Sequence, residues 1–339
     1  MADYDQILFT PGPSFYKNNL FNEIAKKQKI FVFYTGMDKN ERNADFYKGD
    51  LLFDHAFLPR NVFRLWHYLF RFLRRNHYRQ MVVSGWNSPA SFFAVIISRK
   101  GKNACIVEST IYESQTRGLR NFLKRFLVSR LSMAYVSGLP HEKLIRALGY
   151  KGEVKRFGGC GLLNYIEQPS YSPRSEVKNF IFVGRLVPVK NLELLVEVFN
   201  ELPQFNLSII GFGPLEEQLK KMAHPNVRFY GAIDNKELPR YYQEADVFLL
   251  CSYSETWGLV VEESLNNGTP VIVSDCVGCN EDLVNDQTGI VFHSNDKQSL
   301  KDAIVRITDV GYYNQLRQGV ARLEFQKRAK HQVDSFLLK

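Results

Sequence analysis

The stretch that most limits how this chain can fold covers residues 246–289. The run Asp246-Val247-Phe248-Leu249-Leu250 is short, apolar and bounded by polar residues, the pattern of a strand buried on both faces of a parallel sheet. After a loop, residues 262–267 read as a helix that stops at Gly268, a residue suited to the left-handed turn that ends helices. Strand, loop and helix in that order place the loop at the carboxyl end of the strand, where open α/β sheets bind ligands. Glu255 sits in this loop and Glu263 inside the helix, so two carboxylates are expected to line one crevice. Between them, Gly258 and Leu259 fall near the helix start, where free backbone N–H groups and the positive dipole end favour phosphate. One anion slot flanked by two acceptors for hydroxyl groups matches a nucleotide sugar, whose diphosphate lies between two polyols.

The same residues carry a family resemblance. Glu255 and Glu263 form an E-x7-E pattern, followed by Asn267-Gly268-Thr269-Pro270-Val271-Ile272-Val273-Ser274, then by Glu281 and Thr288-Gly289. E-x7-E alone is common on helices, but the whole series in order resembles the donor-binding half of glycosyltransferase family 4. Those are retaining enzymes of GT-B fold, of the kind that build bacterial surface polysaccharides. The resemblance implies an α/β chain with two Rossmann-like domains facing each other across a cleft. It also implies transfer of a sugar from a nucleotide-diphosphate donor to a hydroxyl of a glycan or lipid-linked glycan acceptor. Residues 178–309 carry the pattern most strongly, and it continues more weakly before them.

A length of 339 residues exceeds what one hydrophobic core usually serves, so two domains are expected. Hydrophobic residues at 45% and charged ones at 23% describe a globular chain rather than a disordered or fibrous one. Residues 165–177 contain two prolines and three serines without periodicity and read as a linker. The boundaries expected are an acceptor-side domain over 1–165, a linker over 166–177 and a donor domain over 178–320. By resemblance, a last helix over 321–339 crosses back to the first domain. The five cysteines are few and mostly scattered, which fits a reducing compartment. Cys276 and Cys279 form a C-x-x-C, yet no second ligand pair stands at zinc spacing. The pair falls in a loop where the family usually has small residues. The acidic start, residues 1–6, does not read as a secretory signal, and no apolar run reaches the ~18 residues of a membrane span.

In the first half, residues 7–10 read as a strand, Pro11-Gly12-Pro13-Ser14 as a turn, residues 18–27 as a helix and residues 30–34 as a strand. This βαβ opening resembles the family's N-terminal domain, whose first loop faces the donor phosphates. The single Gly12 replaces a longer Gly-Gly loop; the resemblance makes it a phosphate neighbour, whereas read alone it is a turn glycine supplying a positive φ. Strands at 81–84 and 104–107 end in Gly85-Trp86-Asn87-Ser88 and Glu108-Ser109-Thr110. These loops are expected at the same edge, with Trp86 stacking on a sugar ring and Glu108 holding an acceptor hydroxyl. The plainer readings are a packing aromatic and a capping carboxylate. A His stands near the Glu108 position in many relatives and is missing here.

Charge is unevenly spread. Residues 1–170 hold twice as many basic as acidic side chains while residues 171–339 are slightly acidic, within a net charge of +9. In a first helical stretch, Arg60, Arg64, His67, Arg71 and Arg74 or Arg75 recur at helical spacing opposite Val62, Leu65, Trp66, Leu69, Phe70 and Leu73. In a second, Arg117, Arg120, Lys124 and Arg125 accompany Leu119, Phe122, Leu123, Phe126 and Leu127. Across residues 60–130 only Glu108 and Glu113 oppose the cations. Basic, aromatic and amphipathic together form an interfacial signature, so contact with an anionic membrane surface is expected. The bland alternative is a domain core beneath solvated charges. Nucleic acid is disfavoured, because no helix-turn-helix, ribonucleoprotein or zinc-finger pattern accompanies the patch.

In the second half, residues 180–183 read as a strand and Leu192 opens an apolar helix. Arg185 and Lys190 share the loop between them, where two cations can neutralise a diphosphate. The series from Gly184 to Asn191 also resembles the family's phosphate-binding loop. Gly211-Phe212-Gly213 lacks the third glycine of a dinucleotide fingerprint, which disfavours an NAD-dependent oxidoreductase. The strand at 227–231 precedes a loop that, by resemblance, contacts the nucleobase through the backbone of Gly231 to Ile233. Residues 299–307 and 312–333 read as helices. Asp3-Tyr4-Asp5 matches the D-x-D of metal-dependent transferases, but is expected to be a chance match in a frayed terminus.

These readings combine into a peripheral enzyme of the cytoplasmic face that needs no metal or other cofactor. Arg185, Lys190 and Glu255 are expected to act in catalysis, with Arg185, Lys190 and the Gly258 and Leu259 amides on the leaving diphosphate. Glu255 would take donor-sugar hydroxyls and Glu263 the ribose diol. No side chain stands out as nucleophile or base, and the resemblance implies that the leaving phosphate oxygen takes the acceptor proton. A nucleotide-sugar 2-epimerase of the same fold, or a non-catalytic sugar-nucleotide binder, would share the donor motifs.

Overall fold

A computed structural model describes residues 2–36, 49–86, 88–114, 119–167 and 169–338, without the side chains of residues 119 and 120. Asn87, Arg117, Gln168 and the side chains of Leu119 and Arg120 thus lie outside the described residues. The chain divides into two compact units, one of Met1–Asn164 with Gln326–Lys339 and one of Tyr165–Phe325.

Among the described residues the first unit holds seven strands: β1 Asp3–Thr10, β2 Ile30–Tyr34, β3 Asp54–Phe57, β4 His77–Ser84, β5 Asn103–Val107, β6 Met133–Val136 and β7 Glu153–Arg156. They pair in parallel in the order β3-β2-β1-β4-β5-β6-β7. The second unit's six strands are β8 Asn179–Val183, β9 Asn206–Ile210, β10 Val227–Gly231, β11 Val247–Leu250, β12 Val271–Ser274 and β13 Gly289–Phe292. They too are parallel, in the order β10-β9-β8-β11-β12-β13. Each sheet grows first to one side of its opening strand and then to the other. Loops therefore part at β1/β4 and at β8/β11, the two switch points where such sheets open a crevice.

The interior strands are apolar because helices cover both faces of each sheet. Every residue of β2 and of β11 is buried. Below β1 and β2, Phe72 anchors an aromatic cluster, its ring centroid 4.5 Å from Phe31 and 4.9 Å from Phe33. The edge strands β3 and β7 are polar and partly exposed, as edges of a solvated sheet are.

Two expectations are corrected. Asp3-Tyr4-Asp5 is not frayed: it opens β1, whose Asp3 and Tyr4 register with His77 and Tyr78 of β4. Asp5 accepts from the Lys29 backbone N–H at 2.9 Å and pairs with Arg79 at 3.3 Å, so its carboxylate is used structurally. The stretch 312–333 is two helices, Val310–Val320 and Phe325–Phe336, because tight turns from Arg322 to Gly319 and Leu323 to Val320 interrupt the ladder. The last helix packs into the first unit, stacking Phe336 on Tyr135 at 4.5 Å, while Gln332 accepts from the Gly161 N–H at 3.2 Å.

Candidate active site

At the β8/β11 switch point, the loop after β8 carries Arg185, half-buried, and a 3-10 turn Pro188–Lys190. Asn191 then adopts a left-handed φ of 54° before the helix Leu192–Asn200, a conformation asparagine tolerates better than most residues. The G-x-G after β9 explains itself by packing. A Cβ on Gly211, at φ 134°, would lie 1.8 Å from the Gly184 carbonyl oxygen, so only glycine lets this segment lie against the cation loop. The Tyr253 N–H donates to the Val189 carbonyl at 2.9 Å, fastening the loop after β11 to the loop after β8.

Lys190 and Glu255, 65 positions apart, meet as an ion pair through Nζ and Oε2, with side-chain exposures of 13% and 19%. The Glu255 loop is held by the segment after β12. Glu255 N–H donates to Cys276 at 3.2 Å, its carbonyl accepts from Gly278 N–H at 2.8 Å, and Cys279 N–H donates to Trp257 at 2.9 Å. The C-x-x-C segment is therefore a backbone clasp. Among the described residues no three His, Cys, Asp or Glu side chains are grouped to hold a metal.

Helix Leu259–Asn266 starts three residues before the sequence pattern indicates, capped by Gly258 in a left-handed conformation at φ 100°. Gly258 and Leu259 thus stand at a helix start as expected. Inside the helix lies an arrangement that the E-x7-E reading misses: Glu262 is fully buried and accepts from the Trp257 indole at 2.8 Å. The adjacent Glu263 accepts from the Tyr242 hydroxyl at 3.0 Å. Burial pushes the Glu263 carboxyl up to about 7; the Tyr242 hydrogen bond opposes this and the neighbouring Glu262 adds to it.

That displacement predicts a pH effect. A carboxyl raised above its unfolded value costs the fold nothing below the unfolded pKa of ~4.3, and its full amount above about 7. Between those values stability falls as pH rises, by up to about 3 kcal/mol from this group. Glu263→Gln should remove the fall, so the variant should gain several degrees in Tm on the wild type between pH 5 and pH 8. Parallel Tm curves for the two proteins in calorimetry would contradict it.

Gly231 ends β10 at φ 68°, with its carbonyl accepting from Gly211 at 2.8 Å. It stands two strands from β8 at the ligand-binding edge. Gly12, Trp86 and Glu108 belong to the first unit, at the carboxyl ends of β1, β4 and β5. Gly12 is not in a left-handed conformation, which removes its reading as a positive-φ turn glycine. Trp86 is packed partly against the core, with the Lys124 ammonium 5.6 Å from its ring centre. Glu108 is paired with Lys17, a residue the sequence reading passed over.

The first unit also shows which residues of its basic helices are free to meet a surface. In helix Val62–Arg75 only Leu65 and Leu69 are buried, while Phe63 is 80% exposed and Val62, Trp66 and Phe70 are also exposed. The expected apolar core face is thus only a narrow stripe. Arg60, Arg64, His67, Arg71, Arg74 and Arg75 are all exposed beside these aromatics. In helix Leu119–Ser129, Leu127 is buried but Phe122, Leu123 and Phe126 are exposed. Lys124 leaves the basic face, because it donates to Ser114 at 2.7 Å and covers Trp86. No described helix is long and apolar enough to cross a membrane.

Comparison with known proteins bears on the family and the fold. The family model "Glycosyl transferases group 1" matches residues 166–319. Over 156 residues the chain is 33% identical to the sulfoquinovosyl transferase SQD2 of Arabidopsis thaliana, covering 44% of this chain and 30% of that protein. Over 103 residues it is 38% identical to the O-antigen biosynthesis glycosyltransferase WbnH of Escherichia coli, covering 30% of each. The chain spans less than half the length of the first curated relatives it matches. In fold, it superposes on Anabaena Alr3699/HepE in complex with UDP with a TM-score of 0.70 at 14% identity, over 97% of this chain and 98% of that one. Residues 166–319 are therefore a glycosyl transferases group 1 domain, in a chain built of two Rossmann-like units of the GT-B type.

Proposed function

We propose that this chain is a retaining glycosyltransferase of the hexosyltransferase type, using a nucleoside-diphosphate sugar and a glycan or polyprenyl-linked glycan acceptor in bacterial surface-polysaccharide synthesis. The observation that carries the reading is the β8/β11 crevice, which pairs Lys190 with Glu255, with Arg185 in the same loop as Lys190 and the helix start at Gly258 in the same loop as Glu255. In the reaction, the bond from the anomeric carbon to the β-phosphate oxygen breaks and a bond to the acceptor oxygen forms. The acceptor proton passes to the departing diphosphate. Negative charge grows on that diphosphate, and fixed cations and amides aimed at it lower the barrier most. Arg185 and Lys190 fill the role that a divalent ion would otherwise take, so the reaction proceeds without metal. Glu255 holds donor-sugar hydroxyls, and Glu263 the ribose diol. HepE's complex with UDP supports the donor class, and WbnH's assignment to O-antigen synthesis supports the pathway. Incubation with nucleotide sugars alone, followed by mass spectrometry, should show slow release of nucleoside diphosphate in chelator as in buffer. Epimerised donor, or release only on adding manganese, would overturn the assignment.

The same reading places the protein on the inner face of the cell membrane. Arg64, Arg71 and Arg75 stand exposed among Phe63, Trp66 and Phe70, which suits anionic headgroups above an apolar boundary. Each such charge is worth about 1 kcal/mol near the surface, within a Debye length of about 8 Å. The chain should sediment with anionic but not neutral liposomes, less at high salt, and least with Arg64, Arg71 and Arg75 changed to Glu. Binding that ignores lipid charge and these changes would contradict the membrane assignment alone.

A further inference from the structure

The first sheet has its own switch point, between β1 and β4, and its carboxyl edge holds a charged pair. Lys17, in the first turn of helix Phe15–Ala25, donates to Glu108 Oε1 at 2.5 Å and to Thr10 Oγ1 at 3.3 Å. Thr10 ends β1 and Glu108 follows β5, so the pair bridges both sides of the opening. Lys17 is 15% exposed and Glu108 35%, so the cation is the sheltered partner. Burial alone would lower the Lys17 pKa, but Glu108 holds it raised, and the ammonium stays charged. Three hydrogens on that nitrogen meet two described acceptors, and Glu108 Oε2 accepts from no described residue. Oε2 lies beside Gly85, where an added Cβ would stand 3.8 Å from it. Three buried hydroxyls on the same edge, Ser14, Ser84 and Thr110, also lack a hydrogen-bond partner among the described residues.

We propose that Lys17 and Glu108 form a binding site for two neighbouring hydroxyls of an uncharged sugar ring, the part of the acceptor glycan that receives the new residue. This rests on the reading of the second unit as the donor binder. One hydroxyl donates to Glu108 Oε2 while the other accepts from Lys17, which uses each free position of the pair once. Because Glu108 already neutralises Lys17 and turns its own carboxylate to the ligand, an anionic group gains less here than in the β8/β11 crevice, where Arg185 in the same loop adds a second cation to the Lys190–Glu255 pair. The site thus selects neutral sugars over uronic acids and sugar phosphates.

Ligand-observed NMR on the full chain tests this with methyl glycosides of neutral hexoses, their single-deoxy analogues, the matching uronic acids and hexose phosphates. At least one neutral glycoside should bind, and loss of one of two adjacent hydroxyls should weaken it about tenfold. Lys17→Met and Glu108→Gln should each weaken it to a similar extent while leaving nucleoside-diphosphate affinity in calorimetry as in the wild type. Glu108→Gln keeps an oxygen for Lys17 to donate to, so it separates recognition from folding. Tighter binding of the anionic sugars, no binding of any neutral glycoside, or unaltered binding by both variants would overturn the proposal. Loss of nucleotide binding by the wild type would instead count against the donor reading.

Discussion

Gly278→Ala is expected to reduce sugar transfer by about a hundredfold or more, although residue 278 has no side chain to offer a substrate. A Cβ there would lie 1.8 Å from the Thr256 carbonyl oxygen and 3.0 Å from that of Glu255, both backbone atoms that cannot swing aside. The Gly278 N–H is also the donor that holds the Glu255 carbonyl at 2.8 Å. The loop must move by an ångström or more, taking Glu255 away from Lys190 and the start of the following helix with it. Displacements of that size in a positioning element cost rates about 10²-fold, and overpacking adds about 1–3 kcal/mol of destabilisation. Steady-state kinetics with saturating donor, beside a melting curve, check this. A folded variant with wild-type turnover would show that the clasp after β12 does not position Glu255.

Arg185→Ala and Lys190→Ala should each lower turnover about 10²- to 10³-fold, the range for removing one preorganised donor from a developing anion. Lys190→Ala has a second consequence, since it leaves Glu255 without the ammonium that it meets in a site where both are largely shielded from water. Glu255→Ala should therefore lower turnover more than donor affinity, and the Lys190→Ala, Glu255→Ala pair should be less than multiplicative. The Arg185→Ala, Lys190→Ala pair should likewise fall short of the product of the single losses, because both act on one diphosphate. Fully multiplicative losses would mean that the residues serve separate steps.

What could be read from the amino acids, and what could not, follows from the range of the interactions. β2 was delimited to the residue by its apolar run, because a strand inside a helix-covered sheet has no polar face to blur the pattern, and β10 by its alternation, as an edge strand with Arg228 and Tyr230 exposed. The edge strands β3 and β7 carry Asp54, His55, Glu153, Lys155 and Arg156 and give no such signal. The local positions of Arg185, Lys190, Glu255 and Glu263 were legible individually, the first three in loops that follow a strand and the last inside the following helix. Their partners were not. Lys190 meets Glu255 across 65 positions, Tyr242 meets Glu263 from another helix, and Lys17 meets Glu108 across 91, and no local period encodes such pairs. The pair Trp257 and Glu262 was within reach, at a five-residue separation on one loop and helix, had the carboxylate next to Glu263 been asked for a partner. Helical spacing identified the basic and apolar stripes of the first unit, but it cannot say which stripe the core covers. Only packing reveals that Leu65 and Leu69 are inside while Phe63, Trp66 and Phe70 are out.

The central claim is that the β8/β11 crevice binds the diphosphate of a nucleotide sugar through Arg185 and Lys190. Titration calorimetry with UDP, GDP and ADP, against the wild type and the Arg185→Ala, Lys190→Ala variant, tests it most directly. Charge-assisted hydrogen bonds contribute about 1.5 to 3 kcal/mol each, so the loss of both cations should weaken the best-bound nucleotide about 10²- to 10⁴-fold. The account predicts that at least one of the three nucleotides binds the wild type and loses at least a hundredfold in the variant. Binding of none of them, or equal affinity in both proteins, would contradict it.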